Sequence, residues 1–455
     1  MTIQTTNPAT GASIKTYRGM NDKNIDDAVA EVHGAFLQWR ETDFATRRHH
    51  MQRVVDALVK QKEDFARLIT QEMGKPITQS RAEIDKCVNL CEHYMQHAET
   101  YLASRHVDTQ YSKSYVTYEP MGIVFAIMPW NFPFWQVFRF IVPTLMAGNV
   151  GILSHAEIST GTGFAIETIF EHAGFPHHAF RHVAIENAQA AKIIADERVT
   201  AVTLTGSEGA GRAVAAQAGQ ALKPIVLELG GCDAYVILED ADLDLAAEAC
   251  VKSRLNNSGQ VCIAAKRMIV VDAVREEFQR LVIEKAQAYV PGDPMDEACT
   301  MGPMARADLR EGLHKQVLAS VEAGATLVQG GEIPEHRGFY YPVTILKDIP
   351  PEAPAYYDEL FGPVVAFIDA KDEEEALTIA NSVHLGLGAA VFTQDLEKGE
   401  HIAKHVLQAG AVFVNAYVGS DPRLPFGGVY NSGFGRELSE EGIRAFVNTK
   451  TVCVK

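Results

Sequence analysis

Apolar positions along the chain follow two periodicities, and the change between them divides it. From 22 to 40, Ile25, Ala28, Val29, Val32, Ala35, Phe36 and Trp39 recur at helical spacing, with Asp22 as candidate cap. Helical pattern continues across 45–104. Residues 106–118 then alternate apolar and polar, which predicts a strand pair with one face open to water or a partner. From 121, short apolar runs alternate with helical stretches. The runs are Ile123–Met128, Val150–Leu153, His182–Ile185, Val199–Leu204 and Ile225–Leu229, with helices near 134–147, 160–173, 187–196 and 209–221. Strands apolar on both faces and separated by helices imply a doubly wound parallel sheet, with functional loops at the carboxyl ends of the strands. A second alternation starts at Ala234–Leu238. It runs through Arg267–Val271, helices near 274–288 and 305–324, then Val364–Ile368, Ala389–Phe392 and Ala411–Val414.

Composition narrows the classes. The 455 residues are 47% hydrophobic, enough for a large core in two or three domains. No apolar run reaches the roughly 18 residues of a membrane span, and the N-terminal segment has no secretory pattern. A net charge of −17 repels nucleic acid and anionic membranes, so neither is expected as a partner. Seven cysteines, an odd and sparse set, point to reduced thiols in the cytoplasm. Without Cys-x-x-Cys or His-Glu-x-x-His spacing, no metal site is expected.

Candidate chemistry then enters. Cys262 stands in Asn256-Asn257-Ser258-Gly259-Gln260-Val261-Cys262, Glu228 in Leu227-Glu228-Leu229-Gly230-Gly231, and Asn131 in Pro129-Trp130-Asn131-Phe132-Pro133. A thiol, a carboxylate and an amide donor are the equipment for covalent chemistry at a carbonyl carbon. Thr205-Gly206-Ser207-Glu208-Gly209-Ala210-Gly211 follows a predicted strand and opens a helix. Its glycines let backbone N–H groups approach a ligand, and a helix N-terminus favours phosphate. Read alone, it is equally a structural tight turn.

Taken in order, Pro129–Pro133, Thr205–Ser207, Glu228–Gly231, Gly259–Cys262, Glu359-Leu360-Phe361-Gly362-Pro363-Val364 and Pro425-Phe426-Gly427-Gly428 resemble the aldehyde dehydrogenase superfamily over essentially the whole chain. The succinate-semialdehyde dehydrogenase-like branch is the nearest match. Asn7-Pro8-Ala9-Thr10-Gly11 and Gly433-Phe434-Gly435-Arg436-Glu437 fit it too. The resemblance implies that Cys262 attacks an aldehyde, with Asn131 and the Cys262 N–H receiving the oxyanion, and that Glu228 activates the water that hydrolyses the thioester. It implies that Glu359 holds the nicotinamide ribose and Phe361 packs on the ring, with Trp130 walling that end. Gly206, Ser207 and Gly211 would line the pyrophosphate turn.

Two departures from the family pattern stand out. Val150-Gly151-Ile152-Leu153 is followed by Ser154, where the family carries a lysine that binds the adenosine ribose or its 2′-phosphate. Glu157 matches the family's ribose-binding carboxylate. Loss of a cation and presence of an anion favour NAD over NADP. Tyr430 also replaces a common lysine.

For the substrate, Arg139 matches a carboxylate-binding arginine of the branch, whereas a second is absent, Asn256 taking its place. Arg423 and Arg254 are candidate substitutes, and Arg139 has the alternative of a surface or interdomain ion pair. The expectation is oxidation of succinate semialdehyde to succinate. Another aliphatic or aromatic aldehyde, or a catalytically silent binding protein on the same scaffold, are the alternatives.

The expected fold class is α/β. A doubly wound parallel-sheet cofactor domain takes 1–104 and 121–230, and an α/β catalytic domain takes 231–424. A small β oligomerisation flap takes 105–120 with 425–455, where the strand Thr449–Val454 would bridge subunits of a homodimer or homotetramer.

Overall fold

A computed structural model describes residues 2–455. Two α/β sheets and one antiparallel flap organise it. In the first sheet the strands lie in the order Gly433–Phe434, Ile225–Glu228, Val199–Thr205, Ile123–Met128, Val150–His155 and Phe180–His182. All neighbours are parallel except Gly433–Phe434. From Ile123–Met128 the chain winds outward one way through Val150 and Phe180. It then returns to the other side of the first strand through Val199 and Ile225. The direction of winding therefore reverses between Ile123–Met128 and Val199–Thr205. Such a reversal opens a crevice beyond the carboxyl ends of the two strands. The loops that leave those ends carry Trp130 and Asn131 on one side, and Gly206 and Ser207 on the other.

The second sheet runs Thr326–Gln329, Thr344–Lys347, Val364–Ala370, Arg267–Val271, Ala234–Ile237, Gly388–Phe392 and Ala411–Val414, parallel except at its first pair. Its central strands are buried on both faces and apolar apart from Arg267, as helix-covered parallel strands tend to be. The flap pairs Val447–Val454 with Lys113–Pro120 and Arg105–His106.

Several elements differ from expectation. The cap of the helix Asp22–Trp39 is Asn21, whose side chain accepts from Asn24 N at 2.9 Å in a reciprocal capping box; Asp22 lies in the first turn. The strand expected over His182–Ile185 ends at His182. The hairpin of Thr2–Thr6 with Ser13–Arg18 has no clean apolar alternation and passes unread in the sequence. The 425–455 segment, assigned whole to the flap, divides. Val447–Val454 joins the flap, but Gly433 pairs with Glu228 in the first sheet. A two-residue strand rich in glycine carries no periodicity from which that pairing could be read.

Candidate active site

Cys262 lies between the helix Leu243–Leu255 and the strand Arg267–Val271. Just before it the backbone turns left-handed at Asn257, Ser258 and Gly259, with φ of 51°, 54° and 74°. Left-handed conformation is costly for the two non-glycine residues and persists only where surrounding bonds enforce it. Those bonds are present. Asn257 N donates to Gln79 Oε1 at 2.9 Å, and Ser258 Oγ donates to Gly302 O at 2.8 Å. Gln260 Oε1 accepts from Ala305 N at 2.9 Å. Gly259 lies so close to the Gly362 carbonyl that any Cβ would collide with it. Beyond the turn, Lys266 Nζ donates to the Val261 carbonyl at 2.9 Å and to that of Cys262. The thiol is thus delivered by an overdetermined loop.

Asn131 is bound to the same loop. Its Nδ2 donates to Gln260 O at 3.1 Å, and its own carbonyl accepts from Asn257 Nδ2 at 2.9 Å. An amide nitrogen carries two hydrogens, so one remains for an incoming oxygen. A buried ion pair supports the Asn131 segment from below. Glu83 accepts from Phe134 N at 2.8 Å and Trp135 N at 3.0 Å, pairs with Lys75, and draws the Lys75 ammonium to 3.7 Å from the centre of the Phe132 ring.

Glu228 ends its strand, 2% exposed, with Oε1 lacking a hydrogen-bond partner among the described residues. Burial first, and then the charge of Glu437, push its carboxyl well above the usual range, against the opposing pull of Arg139 and Arg436. Burial also pushes the half-buried Cys262 thiol up to about 11, while Lys266 and Arg139 act to lower it. The Gly230-Gly231 turn after Glu228 passes directly against the Cys262 carbonyl, at 2.8 Å from an ideal Gly231 Cβ. The C-terminal segment clamps that turn: Leu229 N donates to Ser432 O at 3.0 Å, and Ser432 Oγ to Gly230 O at 2.7 Å.

Residues suited to a dinucleotide flank this centre. Trp130 and Phe361 meet edge to face at 5.9 Å. Glu359 accepts from Gly231 N at 3.2 Å and pairs with Lys266 at 3.0 Å. Ser207 caps the helix Glu208–Gln220, and Gly211 lets that helix close onto Leu229, 2.6 Å from where a Cβ would stand. The buried Thr205 hydroxyl at the start of this turn has no hydrogen-bond partner among the described residues. An open helix N-terminus beside an unsatisfied hydroxyl fits a phosphate-bearing ligand. Ser154 is half-buried at the end of its strand, and Glu157 is exposed one turn later.

A cavity of about 500 Å³ reaches Cys262, lined in part by Lys86, Phe132, Trp135, Arg139, Ser420 and Phe426. Of the candidate arginines, only Arg139 reaches it, and its guanidinium is engaged with Glu437 at 2.6 Å. The expectations for Arg423 and Arg254 are corrected. Arg423 is a surface residue, 77% exposed, held by Asp421 at 2.6 Å. Arg254 is buried and spent on the carbonyls of Leu360, Gly362 and Val364, which shape the Glu359–Val364 turn. Tyr430 is 60% exposed, with its hydroxyl donating to Gln408 Oε1 at 2.9 Å. Sequence reasoning missed Lys266, Glu437 and Lys86. Glu437 was within a quoted motif; nothing local marked the other two.

Residues 1–452 match the model of the aldehyde dehydrogenase family. The chain is 44% identical to a probable succinate-semialdehyde dehydrogenase [NADP(+)] of Synechocystis sp. over 454 residues, covering 100% of both. It is also 44% identical to the Escherichia coli succinate semialdehyde dehydrogenase [NAD(P)+] Sad, covering 98% of this chain and 96% of the relative. Among solved structures, the succinic semialdehyde dehydrogenase of Streptococcus pyogenes in complex with NADP+ superposes with a TM-score of 0.97 at 35% identity, over 99% of each chain.

Proposed function

Because this chain belongs to the aldehyde dehydrogenase family, we propose that it oxidises succinate semialdehyde to succinate through a thioester on Cys262. One observation carries the choice of substrate. The cavity ending on Cys262 presents Lys86, Arg139 and Lys252, against a single lining carboxylate, Glu83, which Lys75 already neutralises. A short aldehyde bearing a carboxylate matches that balance, and relatives of this chain are named for such a substrate.

The residues divide the work as follows. Cys262 Sγ bonds to the aldehyde carbon, helped toward the thiolate by Lys266 and Arg139. The aldehyde oxygen, now anionic, accepts hydrogen bonds from the spare Asn131 amide hydrogen and the Cys262 N–H. The bound nicotinamide ring supplies the acceptor for the hydride that leaves this carbon. Cys262 is then acylated. Glu228, made basic by burial, takes a proton from water, whose oxygen attacks the acyl carbon and frees the Cys262 sulfur.

Glu359, Phe361 and Trp130 would hold the nicotinamide end, with Gly206, Ser207 and Gly211 at the phosphates. The expectation of NAD over NADP does not agree with the relatives, whose names print NADP(+) or NAD(P)+. On that likeness we take NADP to be accepted. The same likeness favours NADP over NAD, although neither Ser154 nor Glu157 offers its 2′-phosphate a cation. A homo-oligomer bridged by the strand Val447–Val454 and a cytoplasmic setting compatible with seven free cysteines complete the proposal.

The test is an aldehyde panel assayed with NAD and NADP, combined with intact-mass spectrometry of protein quenched during turnover. An acyl adduct on Cys262 and highest kcat/KM for succinate semialdehyde are expected. An uncharged aldehyde turned over equally well would sink the substrate assignment, and turnover by Cys262→Ala would sink the mechanism.

A further inference from the structure

The cavity cations differ in one respect: what already neutralises them. Arg139 is paired with Glu437. Lys252 is an exposed residue at the rim, 5.4 Å from the Tyr417 ring. Lys86 is half-buried, and no carboxylate lies within ion-pair distance of it among the described residues. Building on the reading of the site as one for a carboxylate-bearing aldehyde, we propose that Lys86, rather than Arg139, receives the substrate's distal carboxylate.

Lys86 is placed for this by two contacts. It projects from the helix Ile77–Tyr101 over the Trp135 ring, with Nζ 4.1 Å from the ring centre, and donates to Ser420 Oγ at 2.7 Å. Both contacts orient the ammonium without cancelling its charge. Because the Ser420 oxygen accepts from Lys86, its own O–H is left to donate to a second acceptor. A carboxylate arriving there meets an ammonium and a hydroxyl together. The thiol of Cys262 lines the same cavity, so one short molecule with an aldehyde at one end and an anion at the other engages both.

The electrostatics favour such a ligand. Enclosure pushes the Lys86 ammonium down to about 8, and the like charge of Arg139 adds to that. The opposing groups are Cys87 and Glu83 on its own helix and Cys262 across the cavity. Cys87 and Cys262 are themselves pushed toward the neutral thiol, and Glu83 is occupied by Lys75. A cation drawn out of water without a counter-charge is costly, and an arriving anion offsets that cost. Arg139 meets no such need.

The experiment compares succinate semialdehyde with butanal, at saturating cofactor, on the intact wild-type enzyme, Lys86→Met and Lys86→Arg. Methionine keeps the apolar stem against Trp135 and removes the charge. The ratio of kcat/KM for succinate semialdehyde to that for butanal should fall about 30- to 100-fold in Lys86→Met, mostly through KM, as expected for a lost charge-assisted hydrogen bond. Lys86→Arg should recover most of it. In the wild type, KM for succinate semialdehyde should rise as pH passes about 8, the point at which Lys86 loses its charge; in Lys86→Arg that rise should vanish. If the wild type prefers succinate semialdehyde and Lys86→Met leaves the ratio unchanged, the role of Lys86 is overturned while the proposed function stands. An equal fall for both aldehydes would reduce Lys86 to a structural residue. No preference in the wild type would remove the substrate reading, and Lys86 with it.

Discussion

Arg139 Nε lies 2.6 Å from Glu437 Oε2, and both side chains are buried. The arginine that the sequence nominates as a substrate receptor is therefore the counter-charge of two neighbouring buried carboxyls, since it also opposes the rise in basicity of Glu228. Removing one member of a buried pair leaves the other uncompensated, at a cost of about 3–5 kcal/mol. Arg139→Met is expected to lose stability on that order in denaturant titration. It should also move the pH–rate profile. Glu228 acts as a base only when deprotonated, so activity rises with pH through its pKa. Without Arg139 that pKa goes higher, and the rising limb shifts to higher pH. A profile that stayed in place would show that Arg139 does not act on Glu228.

Glu228→Gln separates the two half-reactions. In the proposed mechanism acylation of Cys262 does not use this carboxylate, whereas hydrolysis does. Rapid mixing should show a burst of reduced cofactor close to one per active site, followed by steady turnover slowed about 10²- to 10⁴-fold, the usual reach of general-base catalysis. Absence of the burst would place Glu228 in the first half-reaction as well.

Gly259→Ala tests the loop. The position has φ 74° and faces the Gly362 carbonyl without room for a Cβ. Strain of about 1–3 kcal/mol is expected from the backbone conformation alone, measurable as a lower Tm. Displacement of Cys262 should lower kcat by about 10²-fold even in the folded fraction. Normal kcat in a destabilised protein would mean the loop geometry is not needed for the chemistry.

Ser154→Lys restores the missing cation at the carboxyl end of the strand Val150–His155. KM for NADP should fall about tenfold, equivalent to about 1.4 kcal/mol, with little change for NAD. Equal effects on both cofactors would argue that this position does not meet the 2′-phosphate.

Much of this was legible without coordinates, for reasons that can be named. The runs Ile123–Met128, Val199–Leu204 and Arg267–Val271 are strands buried on both faces, and such strands read as mostly apolar stretches, interrupted here only by Thr200, Thr203 and Arg267. The helices Trp135–Met146, Thr160–His172, Asn187–Ala195 and Glu208–Gln220 fall within a residue of their expected bounds, whereas Leu243–Leu255, Glu373–Ala380 and Leu396–His405 were not read. Thr326–Gln329 was invisible because it is an exposed edge strand, with no buried face to impose a pattern. Lys86 was overlooked because, within the long helical pattern, a lysine reads as solvated surface; only the approach of Trp135 and Ser420 encloses it.

By itself the chain sequence determined the kinds of reactive group present and the short segments that deliver them. The glycine pair after Glu228 and the Gly259-Gln260-Val261-Cys262 run are written in adjacent residues, whereas the left-handed turn at Asn257 and Ser258 is held by bonds to Gln79 and Gly302, far along the chain. Tertiary structure alone decided which charge is paired and which is free. Arg139 meets Glu437, Arg254 meets the Leu360–Val364 carbonyls, and Lys86 meets no acid among the described residues. Ion pairing depends on distance and burial between residues far apart in the chain. Neither quantity exists until the sheets and the C-terminal segment come together.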